Sequence, residues 1–215
     1  MFHVKHTDGL EPEPAAAEAV FGASIETARA FTSDLARRGE ELGLIGPLEL
    51  PRLWTRHVIN SGLVAPLVRP GALVGDIGSG AGLPGLVLAI ARPDARFVLI
   101  EPMERRTDWL RAEAAALGLD NVEVVRARAE DAPYVERLDQ ITARAVSALR
   151  TLIPAVVPLA RPGGELILMK GARVEEERDA AAKQIARARL VDVEILTLGE
   201  GVTTEVTRVF RATVR

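Results

Sequence analysis

An α/β fold is expected, with a doubly wound and mostly parallel sheet, an antiparallel last strand and a helical segment at the N-terminus. Three observations lead there. From residue 72 onward, short apolar runs alternate with helical patterns. A glycine-rich turn, GSGAGLPG, follows the first of those runs. The last two β segments have no helix between them, so they should pair antiparallel. The 215 residues, 48% of them hydrophobic, suffice for one such core and a modest extension.

Residues 1–14 read as a loose tail. His3 and His6 sit three apart there, but a tail offers a metal ion no rigid geometry. Residues 15–42 read as helices, because Val20, Phe21, Ile25, Ala28, Phe31 and Leu35 recur at three- to four-residue spacings. LIGPLEL at 44–50 carries a Gly-Pro turn. Residues 51–67 read as one more helix, with Trp54, Val58, Leu63 and Leu67 apolar, ended by Pro70-Gly71. Strands are expected at 72–77, 96–101, 122–126, 140–143 and 164–170. Helices are expected at 84–91, where Pro84 suits the first turn, at 104–117, which Gly118 stops, and at 149–159 and 174–189. Residues 191–198 and 205–213 close the chain as β segments. Residues 1–70 thus form a tail and a helical segment packed on the core, and residues 71–215 form the sheet domain.

Composition removes several classes of function. Cysteine is absent, which excludes disulfides, thiolate zinc sites and cysteine nucleophiles. No apolar run approaches the roughly 18 residues of a membrane span, and the first residues lack a signal-peptide core. A cytoplasmic protein without membrane contact, bound metal or an obvious oligomerisation stripe is expected, a monomer by default. The net charge of −3 argues against a generic nucleic-acid binder, so contact with a polyanion must use a local patch. Only three of the 27 basic residues are lysine; codon bias explains that ratio most simply, and a preference for phosphate is the lesser explanation.

In a doubly wound sheet the ligand lies across the carboxyl ends of the strands. Gly78, Gly80, Gly82 and Gly85 let backbone N–H groups approach it closely. Gly80-x-Gly82-x-x-Gly85 formally matches the dinucleotide fingerprint. Glu101 ends the second strand, 21 residues beyond Gly80, where a carboxylate accepts hydrogen bonds from a ribose. That role fits NAD and S-adenosylmethionine equally. Asp76, two residues before the first glycine, favours a ligand with an amino group and a sulfonium over a pyrophosphate. Glu130 and Asp131, after the third strand, suit an adenine amino group. Each acid also has a plainer reading: Asp76 as partner of a helix N-terminus, Glu101 as a solvated acid before Pro102, Glu130 and Asp131 as an ordinary loop. S-adenosylmethionine is the preferred ligand; NAD is the alternative, without an obvious Tyr-Lys or His pair for hydride chemistry.

GDIGSGAGLPG, the preceding LWTRHVINS, ARA at 143–145 and LMKG at 168–171 occur in one order over nearly the whole chain. In that order the chain resembles the 16S rRNA guanine-N7 methyltransferases called RsmG or GidB. The resemblance implies a class I, Rossmann-like methyltransferase domain behind a helical segment. It implies methyl transfer from S-adenosylmethionine to N7 of one guanosine, position 527 in the 530 loop, of 16S rRNA or the 30S subunit. It places Gly78, Gly80 and Leu83 on the cofactor, Ala129 and Glu130 on its adenosine, and Arg144 at the mouth of the cofactor pocket. Two positions depart from the family pattern: Asn60 often stands as aspartate, and Ala143 is commonly serine.

Guanine N7 carries a lone pair and no proton, so its attack on a sulfonium methyl needs no general base. Catalysis reduces to alignment with water excluded, and no catalytic residue is assigned. The RNA must be gripped, and Arg56, His57, Arg144 and Lys170 are the candidates, through phosphates or the guanine O6 edge. Their plainer readings are a solvated helix face for Arg56, a structural histidine for His57, an ion pair with Glu130 or Asp131 for Arg144, and a strand-end side chain for Lys170. Arg105 and Arg106 read as a helix face, and Trp54 and Trp109 as core rather than base-stacking platforms. A methyltransferase for a small molecule or protein, and a non-catalytic RNA-binding assembly factor, are the remaining alternatives.

Overall fold

The computed structural model describes residues 9–215; His3 and His6 lie outside the described residues. Seven strands form one sheet in the order β3-β2-β1-β4-β5-β7-β6. They are β1 (Leu73–Ile77), β2 (Arg96–Ile100), β3 (Val122–Val125), β4 (Leu138–Arg144), β5 (Ala160–Lys170), β6 (Leu190–Leu198) and β7 (Thr207–Val214). The first five run parallel, with β1 between β2 and β4. β7 lies antiparallel between β5 and β6, as the missing crossover helix requires.

Alternate side chains of the buried strands feed two cores on opposite faces. Phe97 and Leu99 of β2, with Ile167 and Met169 of β5, enter one core. Val98, Ile100, Leu166 and Leu168 enter the other. The first core is closed by α1 (Ala16–Phe21), α2 (Ile25–Arg38), α4 (Gly85–Ala91) and α5 (Glu104–Ala116), through Phe21, Phe31, Leu35, Leu86 and Trp109. Between α2 and β1 lies the short α3 (Asn60–Gly62), which continues a π-helix. The second core is closed by α6 (Leu149–Val156), α7 (Val174–Ala180) and α8 (Ala182–Arg187). The N-terminal helices therefore share the core of the sheet. Trp54 and Trp109 are 4% and 2% exposed, so both indoles are core. Among the described residues no helix is long and apolar enough to cross a membrane.

Three elements differ from expectation for physical reasons. The stretch expected as one α-helix over 51–67 is a π-helix at Leu53–Ile59, flanked by 3₁₀ turns and α3. Its backbone hydrogen bonds span five residues instead of four, while Leu53, Trp54, Val58 and Ile59 are buried on its inner side. The helix expected over 174–189 breaks at Ala181, which is fully buried and has ψ of 7°. β5 starts at Ala160 rather than at Gly164: Ala160 pairs with Leu138 and Glu165 with Gln140, so the Pro-Gly-Gly segment bulges out of a continuing ladder.

One buried group works against the fold. Glu113 of α5 faces α2 at 1% exposure, and neither carboxylate oxygen has a hydrogen-bond partner among the described residues. Burial first, and Asp34 second, push its pKa up from 4.5 to about 7. A raised carboxyl pKa means the folded state holds the proton longer than the unfolded chain. Stability then falls as pH rises from 4.5 to 7 and stays lowered above it. Glu113→Met, close in volume and apolar, should raise the melting temperature by several degrees at pH 8 and by less at pH 5, measured by calorimetry at both.

Candidate active site at the carboxyl edge of the sheet

The glycine turn is built around one buried side chain. Asp76, near the end of β1, is fully buried. Its Oδ2 accepts the backbone N–H of Gly85 at 3.1 Å, the first residue of α4, and its Oδ1 accepts the hydroxyl of Thr142 in β4 at 2.9 Å. Asp76 is thus the partner of a helix N-terminus, and its carboxylate does not face the cavity as a ligand for an amino group would. That corrects the argument that set Asp76 against the ligand. Gly85 is required here, because a Cβ would stand 2.4 Å from Leu99 Cδ2 and 2.5 Å from Asp76 Oδ2.

Glu101 staples the turn from the other side. It is 2% exposed; Oε2 accepts the Gly80 N–H and Oε1 the Met103 N–H, each at 3.0 Å. Arg106 Nη1 stands 4.0 Å from Oε2, so the buried carboxylate also faces a guanidinium. Trp109 Nε1 donates to Ala81 O at 3.1 Å, and Gly78 N–H to Ile100 O at 2.8 Å. Gly78 and Gly80 adopt φ of 68° and 55°, which a side chain would strain.

Two cavities open beside this turn. One, about 270 Å³, is lined by Gly78, Gly80, Leu83, Glu49, His57 and Arg144 among others. The other, about 560 Å³, is lined by Arg56, His57, Asn60, Arg144, Lys170 and Arg208 among others. They share His57, Arg144 and Ala145. Sequence-selected residues from the π-helix, the turn after β1, β4 and β5 therefore converge. Glu101, Ala129 and Glu130 lie outside both linings, at the ends of β2 and β3; Ala129 is buried and Glu130 exposed on a 3₁₀ turn.

The junction carries a three-residue chain. Arg144 Nη2 lies 3.0 Å from His57 Nδ1, and His57 Nε2 lies 2.5 Å from Glu49 Oε2. Arg144 Nη1 also donates to Arg56 O at 3.4 Å. Arg144 has no bond to Glu130 or Asp131. Burial lowers its pKa to about 10, against the attraction of Asp76, so the guanidinium stays charged at neutral pH. Burial first, then Arg144, lower the pKa of His57; Glu49 opposes both. The next residue, Ala145, holds φ of 54°, a strained backbone at the mouth of both cavities.

Lys170 lines the larger cavity, but its ammonium is engaged. It donates to Ser147 O at 2.7 Å and pairs with Glu177 at 2.8 Å, tying the loop after β4 to α7. Arg56 is exposed and near two acids, Glu49 at 3.9 Å and Glu205 at 3.8 Å. Arg208 of β7, which sequence reasoning missed, lines the same cavity and forms no ion pair with any described residue. Nothing local in the sequence marks it: it reaches the site only because β7 inserts beside β5. Glu49 was missed for a similar reason, standing in a turn eight residues before His57.

This strand order, with one antiparallel strand inserted beside β5 and a glycine turn after β1, is the class I methyltransferase fold. A SAM dependent methyltransferase from Aquifex aeolicus is similar with a TM-score of 0.54 at 19% identity, covering 86% of this chain and 98% of that one. TYW2 from M. jannaschii, in complex with AdoMet, gives 0.57 at 16% identity over 75% and 76% of the two chains. In sequence, the family model for rRNA small subunit methyltransferase G, GidB, matches residues 24–206. The ribosomal RNA small subunit methyltransferase G of Leifsonia xyli subsp. xyli is 64% identical over 209 residues, 97% of this chain and 100% of that protein. The protein of that name from Clavibacter michiganensis subsp. michiganensis is 65% identical over 205 residues, 95% and 97% of the two. The chain belongs to the GidB family of small-subunit rRNA methyltransferases.

The wiring of Asp76 gives a test of its role. Burial pushes its pKa up from 3.8 to about 6, so the ionised group costs roughly 3 kcal/mol of stability at neutral pH, at roughly 1.4 kcal/mol per unit. Asp76→Asn keeps an acceptor for Gly85 and a donor for Thr142 without the charge. It should melt no lower than the parent at pH 7.5 and flatten the loss of stability between pH 4 and 6. Asp76→Ala, which also removes the charge but strands the Gly85 N–H, should unfold in urea about 1–3 kcal/mol less stable than Asp76→Asn.

Proposed function

We propose that the protein transfers a methyl group from S-adenosylmethionine to N7 of a single guanosine, position 527 in the 530 loop, of 16S rRNA. The observation that carries this reading is the meeting of the two cavities at Arg144, His57 and Ala145. One cavity abuts the glycine turn; the other is lined with cations. The residues present fit the cofactor: glycines with positive φ present backbone close to the smaller cavity, and the Glu101 carboxylate holds that turn from behind at Gly80. Ala129 and Glu130 stand after β3, where the adenosine is expected by resemblance. The family's name and its relatives supply the small-subunit rRNA.

S-adenosylmethionine supplies a methyl on a sulfonium; the N7 lone pair forms the new bond while sulfur keeps the electrons of the old one, and no proton moves. The chain's own residues then have three tasks. Gly78, Gly80 and Leu83 shape the donor cavity. Arg144 and Arg208 hold the RNA. Arg144 must bond O6 or a phosphate and leave N7 alone, since a bidentate O6/N7 contact would consume the attacking lone pair. Lys170 and Glu177 hold the loop carrying Ala145 and Val146, which forms one wall of the junction.

Transfer of labelled methyl from S-adenosylmethionine to 30S subunits lacking this modification tests the reading, with the product mapped by borohydride and aniline cleavage. Label at one guanosine of the 530 loop is expected. No label on the particle or on 16S rRNA, with the cofactor shown to bind, overturns it in favour of a small-molecule or protein substrate. Arg208→Ala should raise KM for the particle roughly tenfold, about 1.4 kcal/mol, and flatten its salt dependence by about one ion.

A further inference from the structure

Arg144 is an awkward residue to leave at the junction of two cavities. It has at least five N–H donors, and no carboxylate lies within ion-pair distance among the described residues. Its one side-chain partner is His57, and the chemistry of that contact is forced. A guanidinium only donates, so His57 Nδ1 must be the nitrogen carrying the lone pair. The proton of the neutral ring then sits on Nε2, which faces Glu49 Oε2 at 2.5 Å. Glu49 is itself held, with Oε1 accepting from Arg52 Nη2 at 2.7 Å.

We infer that Glu49 is a positioning residue: through the Nε2–H tautomer of His57 it aims the Arg144 guanidinium at the junction of the two cavities. This rests on the function proposed above only for what Arg144 then touches; the chain of bonds stands without it. Protonating His57 would replace the Nδ1 lone pair with an N–H aimed at a cation, and Arg144 would lose its bearing. The charged groups facing the imidazole bear on when that happens. Glu49, from the preceding turn, favours the cationic ring. Arg144 from β4 and Arg56 from the π-helix disfavour it, as does burial. Asp76 lies behind Arg144, Arg52 and Glu205 pair with Glu49 and Arg56, and Arg106 of α5 lines the same cavity.

The full chain has only three histidines, so ¹⁵N spectroscopy of the imidazoles is simple to read, with His57→Gln assigning the signal. Expected is a His57 ring protonated at Nε2 and bare at Nδ1 at pH 7.5, titrating below the ordinary imidazole value of 6.5. A ring protonated at Nδ1, or one that titrates at that value or above it, overturns the inference whatever the substrate proves to be. In turnover, Glu49→Leu should lower kcat roughly ten- to hundredfold at an unchanged melting temperature, and Glu49→Gln should recover most of it, since its amide oxygen still accepts from Nε2–H. The acid limb of the kcat profile should move to lower pH in Glu49→Gln, because removing an anion disfavours the imidazolium. An acid limb that stays in place, or equal losses in both variants, would show that Glu49 acts on the fold alone.

Discussion

The site depends on a carboxylate that never meets solvent. Asp76 joins three elements that must agree in position: the end of β1, the first N–H of α4 and the middle of β4. Burying a charge is costly, and it persists here because both oxygens are bonded and a guanidinium stands near. With those three points fixed, the chain between Ile77 and Gly85 has little choice. It turns through glycines at positive φ, is stapled at Gly80 by Glu101 and at Ala81 by Trp109, and leaves its backbone facing a cavity. The glycine turn is therefore rigid because of its acids as much as open because of its glycines.

A second set of restraints works from the opposite side of the cleft. β7 enters antiparallel beside β5 and brings Arg208 to the rim, while Lys170 and Glu177 fasten the loop after β4. Between these fixed walls lies the strained Ala145, which both cavities share with Arg144 and His57. A backbone at positive φ turns successive side chains to directions an ordinary strand end cannot reach. Arg144 stays between the cavities while Val146 lies over the glycine turn, its Cγ2 2.9 Å from where a Cβ on Gly78 would stand. The absence of a side chain at Gly78 and the strain at Ala145 are two halves of one fit.

The fold was legible in the sequence because buried strands and amphipathic helices leave separate periods. The antiparallel close followed from one missing helix. Residues 51–67 misled because the buried Trp54 and Val58 are four apart, a spacing that an α-helix and a π-helix both accommodate. Of the expected cofactor residues, Gly78, Gly80 and Leu83 follow one strand end and Arg144 ends another, and all four line the smaller cavity. The site was illegible where function depends on a bond partner. Asp76 read as a ligand for a cation because the sequence shows its neighbours along the chain and hides Thr142, 66 residues away. Lys170 read as a free cation for the same reason: its acid, Glu177, sits on the next helix. Glu49 left no pattern, since it stands in a turn outside the helical element that carries His57.

At first sight a fixed cation between the cavities opposes the proposed reaction, which makes a cationic purine. The balance of charge shows otherwise. The methyl leaves a sulfonium and arrives at N7 with its positive charge, so the site holds the same net charge before and after. Arg144 at the junction sees a charge move past it rather than appear. Its repulsion enters both states alike, and only a difference between them bears on the rate. What remains is its donor geometry, which is useful for alignment as long as the guanidinium keeps one direction. Asp76 below offsets its charge without touching it, and His57 beside it accepts one N–H without adding charge. A carboxylate in the place of His57 would pair with Arg144 more strongly, but it would compete with the RNA phosphates for the same donors. A neutral ring, held neutral by burial and by Arg144 itself, restrains the direction of the guanidinium and leaves its charge free for the substrate.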